Sequence, residues 1–590
     1  MRPAITIRNA PAAIVELLLA QGVHPLLARI YAARGIASPR DLASSFDHLV
    51  APEAMLNLTA MAKRLADAIA AKKKLLIVGD YDADGATATA VGMRALRAFG
   101  ANVGYLVPNR FEYGYGLSPE IVQLAHAQSR PDILITVDNG IASIDGVAEA
   151  NRLGMEVLIT DHHLPGEKLP DAACIVNPNQ PGCGFPSKNL AGVGVMFYLM
   201  LALRAELRNR GALGQRRMAD GGWRMEDGDP SLVTRHSSPG DGGPNLAELL
   251  PLVALGTVAD VVPLDSNNRI LVHHGVARIR EGRAQAGIVA LFEVARRDPR
   301  KGSARDLGFV LGPRLNAAGR LDDMALGIEC LVTDDPDRAR TIASQLDQLN
   351  NERRSIETGM REEALAALET QDYGDGYSLS IYDPSWHQGV VGIVAGRIKD
   401  RFHRPTFAFA PGNPGEIRGS GRSIPGLHLR DALDRVAVLN PGLILKFGGH
   451  AAAAGLTLRE PDFPRFRTAF EEAARKLLSP ADLEQVLETD GSLASGELTT
   501  QTCSILAEPV WGHGFPAPRF CDEFVVAAQR VVVEKHLKMT LGLGKQRLEA
   551  IRFNHVESAP ARMRAVYHPS LNHYNGRTSV QLSIEHWEEV

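Results

Sequence analysis

Five short runs rich in β-branched residues recur between about residue 50 and 260, each ending in polar side chains: KKLLIVGDYDADG, ANVGYLVPN, DILITVDNG, MEVLITDHH and ACIVNPN. Helix-like stretches separate them. Strands alternating with helices predict a parallel α/β sheet with helices on both faces, and in such sheets the ligand site lies at the carboxyl ends of the strands. Asp80, Asp82, Asp84, Asp138 and the trio Asp161-His162-His163 all fall just past an apolar strand.

A chain of 590 residues holds two to four domains. Residues 1–49 read as a helical segment, with Ala12–Ala20 as an amphipathic helix. Residues 50–333 read as the α/β domain, in which NLAELLPLVALGTVADVVPL forms a long apolar helix ending near Asp260. Within it, 211–245 scatters Gly, Asp, Ser and Pro without a period, which predicts a surface loop or flexible insertion. Residues 334–371 predict a long exposed connecting helix, 372–465 a second α/β domain, and 466–590 a small β-barrel built from short strands separated by turn residues.

Hydrophobic residues at 45% and charged residues at 22% exclude collagen-like, coiled-coil and wholly disordered chains. The net charge of -4 means that a polyanion must be held by a local basic groove. The five cysteines form no CxxC, which argues against a disulfide framework or a structural zinc site and fits a reducing cytoplasm. The longest apolar stretch, Leu190–Leu203, falls short of the roughly 20 residues that cross a bilayer. No membrane partner is expected.

In an extended strand end, Asp80, Asp82 and Asp84 point toward one side. Two like charges about 4 Å apart repel by roughly 4 kcal/mol at an effective dielectric near 20, so a divalent cation is the natural remedy. Taken alone, the triplet is equally a turn or a calcium-type loop. Asp138 and the Asp161-His162-His163 trio change that, because they occupy the same topological place on neighbouring strands, and Asp260 ends the next long apolar helix. Carboxylates mixed with imidazole suit Mn²⁺ or Mg²⁺, and two such ions would clamp a phosphoryl group. His273 and His274, on a helical stretch without nearby carboxylates, read as structural.

GDYDADG, VDNG, TDHH and GTVADVVPL, in this order and spacing, resemble the motifs of the DHH phosphoesterase superfamily. LGPRLNAAGRLDD, WHQGVVGIVAGRI, GSGRSIPGLHLRDAL and LKFGGHAAAAGLTL narrow the resemblance to its RecJ family of single-strand-specific 5′→3′ exonucleases, over nearly the whole chain. The resemblance implies a DHH domain and a DHHA1 domain joined by the long helix, followed by an OB-fold barrel. It implies two Mn²⁺ or Mg²⁺ ions on Asp82, Asp84, Asp138, His162 and Asp260, with Asp80 and Asp161 as ligands or behind them. Asp84, Asp161 and His163 are the implied catalytic groups, His163 touching the scissile phosphate or assisting the leaving group. The superfamily's pyrophosphatase-like members carry a His where this chain has Val78.

Gripping a polyanionic backbone needs positive side chains. The resemblance turns Arg314, Arg320, Arg418 and Arg422 into phosphate contacts, beside Asn316, Gly448 and Gly449, and His387, Ser420, Ser423 and His450 into contacts to the strand end. In the barrel, Trp511, Phe515 and Phe520 near Arg519, Lys535 and Lys538 suit base stacking along a charged groove, although each aromatic alone reads as core. The implied substrate is single-stranded DNA, in recombination and repair alongside single-strand-binding protein and a RecQ-type helicase, by a cytoplasmic monomer. The alternatives are a DHH oligoribonuclease and a non-catalytic DHH scaffold that binds single-stranded DNA.

Overall fold

The computed structural model describes residues 3–109, 113, 116–213, 243–369, 375–493, 496–574 and 576–590. Most of the stretch expected to be a loop insertion, residues 214–242, lies outside the described residues. The chain divides into two compact units: one holds Ile7–Asp347 and Thr489–Val590, the other Met1–Thr6 and Gln348–Glu488.

In the larger unit the five apolar runs are the strands β1 (Lys74–Gly79), β2 (Asn102–Leu106), β3 (Ile133–Val137), β4 (Glu156–Thr160) and β5 (Cys174–Val176). They form one parallel sheet in the order β2-β1-β3-β4-β5. Gly79 pairs with Val137 and Val137 with Thr160. The residues that follow, Asp80, Asp138 and Asp161, therefore leave the sheet at one edge. Three helices pack around that edge: α1 (Ala83–Ala98), α2 (Gly192–Asn209) and α3 (Leu250–Ala259). Nearly every residue of α1 is buried, which its small side chains (ADGATATAVG) permit by letting neighbouring helices approach closely.

His274 is structural as expected. Its Nε2 lies 2.6 Å from the Ser44 carbonyl and its ring stacks on Phe46, and burial pushes its pKa down to about 4.

The strands β11 (Phe520–Val532), β12 (His536–Leu543), β13 (Gln546–Arg552), β14 (Arg562–Tyr574) and β15 (Arg577–Glu589) close into a barrel in the order β11-β12-β13-β15-β14. A buried ion pair ties its approach to the N-terminal segment. Asp490 accepts hydrogen bonds from Arg34 Nη1 (2.7 Å) and Nη2 (2.9 Å) and from the Arg519 amide (3.0 Å). Burial alone would raise the Asp490 pKa, but Arg34 outweighs it and holds the carboxyl below the usual range. Its stabilisation is therefore present above the unfolded carboxylate pKa, about 3.9, and is lost as pH falls through the lower folded value. Asp490→Asn is expected to cost roughly 2 kcal/mol at pH 7. Urea melts from pH 7 to pH 2 should show the variant converging on the parent at the acidic end.

In the smaller unit the strands β6 (Leu379–Tyr382), β7 (Thr406–Pro411), β8 (Glu416–Arg422), β9 (Lys446–Gly449) and β10 (Ala453–Arg459) form a mixed sheet in the order β9-β10-β8-β7-β6. The helix Phe463–Leu477 buries Phe466 and Phe470 in the core of this sheet. The second α/β domain thus runs past residue 465, where its end was expected, because the amphipathic face of that helix belongs to it. The expected connecting helix is a single helix, α5 (Pro336–Glu369). Among the described residues no helix is long and apolar enough to cross a membrane.

Candidate metal centre and nucleic-acid interface

Beyond β1 the chain turns through Asp80 and Tyr81 into α1, with Asp82 as the N-cap. Asp82 Oδ1 accepts the N–H groups of Asp84 (2.9 Å) and Gly85 (3.0 Å), the role for which Asp is favoured at a helix start. Asp84 is fully buried and faces the N-terminus of α2. Its Oδ2 accepts the Gly192 amide at 2.6 Å and its Oδ1 the Val193 amide at 2.9 Å, so two orphan N–H groups and the positive end of a helix meet one carboxylate. Even so, burial and then the charges of Asp260 and Asp82 push Asp84 well above the usual carboxylate range.

Asp138 follows β3 in a left-handed conformation, φ +62°, which Asp tolerates better than most residues. Its Oδ1 lies 3.0 Å from His162 Nε2. A Cβ on Gly192 would come within 2.8 Å of that Oδ1, which is why the α2 start is glycine. Burial and then Asp84, Asp82, Asp80 and Asp260 push Asp138 well up. Asp260 caps the C-terminus of α3, and its Oδ2 lies 3.6 Å from His162 Nε2. That oxygen is buried without a hydrogen-bond partner. Burial and then Asp82 push Asp260 up to about 7.

Three interlocking clusters result. Asp80, Asp82 and Asp138; Asp84, His162 and Asp260; and Asp138, His162 and His163 each bring one ligand atom per residue within 4.8 Å of the others. Asp138 and His162 each belong to two clusters. The donors are carboxylate oxygens and imidazole nitrogens, the set that suits Mn²⁺ or Mg²⁺. The residues fit a divalent cation on two counts: buried carboxylates that repel one another, and the buried Asp260 oxygen that accepts no hydrogen bond.

Asp161, implied both as a catalytic group and as a ligand or a residue behind the ligands, has its hydrogen bonds directed at the backbone and ring that carry the histidines. Its Oδ1 accepts the His162 N–H (2.7 Å) and the His163 N–H (3.0 Å) and lies 2.7 Å from His163 Nδ1, and its Oδ2 accepts the Ile141 N–H (2.9 Å). It is a positioning residue. Burial opposes its ionisation, yet the hydrogen bond and charge of His163 hold its pKa below the ordinary value. Burial likewise disfavours protonated His163, yet Asp161 raises the His163 pKa to about 9.

The backbone of the two histidines is fixed from another direction. Asn177 Nδ2 donates to the His163 carbonyl (2.9 Å) and Asn179 Nδ2 to the His162 carbonyl (2.6 Å). Both asparagines, like the Gly192 and Val193 amides, escaped the reading of the sequence. NPN directly after a strand was the available signal for the asparagines.

The PRLNAAGR segment forms the helix α4 (Gly312–Leu321). A Cβ on Gly319 would sit 1.9 Å from the Tyr81 carbonyl oxygen, so α4 packs directly on the acidic turn. Asn316, expected at the nucleic acid, uses Oδ1 to accept the Ala83 N–H (2.8 Å) and thereby steadies the start of α1. Arg314, expected on a phosphate, is engaged by Asp347 (Nε, 2.9 Å) and the Val310 carbonyl (Nη1, 2.7 Å). Its guanidinium braces α4 because a carboxylate lies within reach. Arg320 is half-buried on the same helix.

In the smaller unit, Arg418, Ser420 and Arg422 alternate along β8 and share its partly open face, whereas Gly419 and Gly421 face the core. Ser420 pairs with Gly455 of β10, which pairs with Gly448 of β9. Arg422 Nη1 donates to Ser420 Oγ (3.1 Å) and Arg418 Nη1 to Gln388 Oε1 (3.2 Å). His387 Nδ1 accepts the Gly389 N–H (3.1 Å), and Ser423 Oγ donates to the Leu427 carbonyl (2.8 Å). Gly449 ends β9, and the His450 N–H closes the turn onto the Ala453 carbonyl (2.8 Å). This face therefore collects two guanidiniums and a hydroxyl on one strand. In the barrel unit, Phe515 and Phe520 are core, and Trp511 stacks on Phe515 while its Nε1–H donates to the Leu506 carbonyl (2.7 Å).

Comparison with known proteins agrees with this architecture. The model of the DHH family N-terminal domain matches residues 74–220, that of the DHHA1 domain 375–476, and that of the RecJ OB domain 489–586. The chain is 49% identical over 599 residues to the single-stranded-DNA-specific exonuclease RecJ of Dickeya dadantii, covering 99% of each chain. It is 48% identical over 575 residues to that of Escherichia coli, covering 95% of each. The crystal structure of RecJ from Thermus thermophilus in complex with Mn²⁺ matches with a TM-score of 0.78 and 28% identity, over 100% of this chain and 80% of that one. A structure of the same protein with Mg²⁺ gives a TM-score of 0.74 at 27% identity, over 100% of this chain and 78% of that one.

Proposed function

The chain belongs to the RecJ family of single-stranded-DNA-specific exonucleases, and from that premise we propose that it degrades single-stranded DNA from the 5′ end to mononucleotides by two-metal-ion phosphodiester hydrolysis. The carrying observation is the trio of clusters that share Asp138 and His162, because shared ligands are what two adjacent cations require. Every ligand position is filled by Asp or His, which speaks against a decayed scaffold. Asp80, Asp82, Asp84, Asp138, His162 and Asp260 would hold the ions.

Bound divalent ions would neutralise phosphoryl charge and make water a competent nucleophile at neutral pH. The rest falls to the chain itself. Asp82 and the α2 amides fix the carboxylates before substrate arrives, so little reorganisation remains at the moment of reaction. Asp161 holds His163 through Nδ1 and favours its protonated form, so that His163 presents a cation to a phosphoryl oxygen or a proton to the leaving oxygen. The Arg418, Ser420 and Arg422 face is read as a phosphate grip. Family membership supports work in recombination and repair in the cytoplasm, with single-strand-binding protein and a RecQ-type helicase as partners.

The test is a time course with purified protein and Mn²⁺ on one oligonucleotide labelled at either end. Immediate release of mononucleotide from a 5′ label, gradual shortening of 3′-labelled strand, and no cleavage of duplex or in EDTA are expected. Mononucleotide released first from the 3′ label would overturn the polarity, and binding without metal-dependent cleavage would overturn the activity.

A further inference from the structure

The helix that delivers Asp260 ends on strained backbone. Val261, the next residue, has φ +62°, a region that suits glycine or asparagine and strains a β-branched side chain. It is also 61% exposed, so little packing within the protein offsets the strain. An outlier of this kind beside a functional group is a pointer to function.

A second exposed apolar residue lies on the adjoining backbone. Phe309, 79% exposed, sits on a π-helical segment, Leu307–Leu311, a conformation often found at functional sites. The segment is held against the end of α3. A Cβ on Gly308 would lie 3.0 Å from Val258 Cγ1 and 3.7 Å from the Val258 carbonyl oxygen, and one on Gly312 would lie 3.0 Å from Ala259 Cβ. The same Val258 carbonyl accepts the Val261 N–H at 3.3 Å. Arg314 Nη1 pins the segment from the Val310 carbonyl, and the Arg305 guanidinium carbon lies 5.9 Å from the Phe309 ring centre.

We propose that Val261 and Phe309, bordered by Arg305, form a contact surface for unpaired nucleobases of the strand whose phosphate reaches the metal centre. An aromatic face beside a cation is the mix that stacks bases along a charged path. A base inside a duplex has both faces covered, so such a surface rewards single strands. The ligand class is a nucleobase of single-stranded nucleic acid, bound through its π-face, and the assignment rests on the exonuclease reading above.

The experiment compares a 5′-phosphorylated single-stranded oligonucleotide with one carrying abasic residues at its first 5′ positions, by affinity in EDTA and by degradation rate in Mn²⁺. The parent is expected to favour the base-bearing strand by about tenfold, the scale of one stacked base. Phe309→Ala and Val261→Gly should each move that ratio toward one, with Phe309→Leu following Phe309→Ala because it keeps bulk but loses the π-face. The melting temperature of Val261→Gly should not fall below that of the parent, since glycine suits φ +62°. A parent indifferent to abasic residues, or variants that keep the parent ratio, would overturn the proposal and leave the surface to a protein partner. Degradation of ordinary single-stranded DNA by the parent in the same preparation tests the exonuclease reading separately.

Discussion

Asp138→Ala should lower the rate of single-strand hydrolysis by at least about a thousandfold, the equivalent of roughly 4 kcal/mol of transition-state stabilisation, while affinity for single-stranded DNA stays near that of the parent. The two readouts separate because the carboxylate belongs to the ligand clusters, whereas in the proposed function backbone affinity falls to arginines elsewhere. Asp84→Ala should lose as much activity but differ in stability. It strips the acceptor from the Gly192 and Val193 amides and leaves buried donors unmade, at about 1–3 kcal/mol each. Asp138 is a carboxylate pushed well up by burial and neighbouring acids, so in metal-free protein at neutral pH its removal relieves repulsion, which offsets the strain an alanine meets at φ +62°, and the melting temperature should fall less than that of Asp84→Ala. Near-normal turnover in either variant would refute the ligand assignment.

The sheet and the acidic edge were legible because strand ends are local. GDYDADG, TVDNG and TDHH each announce a strand, its end and its polar cargo within a few residues, and parallel pairing then brings the three ends together. Side-chain commitments were not legible. Asp84 meets its two amides 108 and 109 residues away, Asn316 meets Ala83 across 233 residues, and Arg314 meets Asp347 across 33. A guanidinium in a Gly/Ala-rich motif reads alike whether it faces a phosphate or a carboxylate supplied by a later helix, here α5. Trp511 and Phe515 show the same limit from the apolar side. Their partner Tyr31 comes from the N-terminal segment, and nothing within the barrel sequence tells a packed ring from a base-stacking one. The expected boundary at residue 465 cuts through the helix Phe463–Leu477 because an amphipathic helix does not name the core it covers.

The sharpest probe of the positioning layer is an isosteric change, Asp161→Asn. The carboxylate has donors on both sides: the His162 and His163 amides and the His163 ring at Oδ1, and the Ile141 amide at Oδ2. An amide offers one acceptor oxygen and one NH₂. Whichever way it turns, the NH₂ opposes either the Ile141 N–H or the three histidine donors, and a buried N–H goes unpaired. The loss of negative charge also removes the largest of the influences that raise the His163 pKa, leaving Asp260 and Asp80, so the ring deprotonates at lower pH. Partners behind metal ligands typically contribute 10–100-fold in activity or metal affinity. With the lost hydrogen bond and the lost charge adding, Asp161→Asn should lie near the hundredfold end in turnover, with DNA affinity preserved. The pH–rate profile is the readout that a merely structural role would not move. Activity that depends on protonated His163 should begin to fall at lower pH in the variant than in the parent, and an unshifted alkaline limb would exclude His163 as the proton-bearing group.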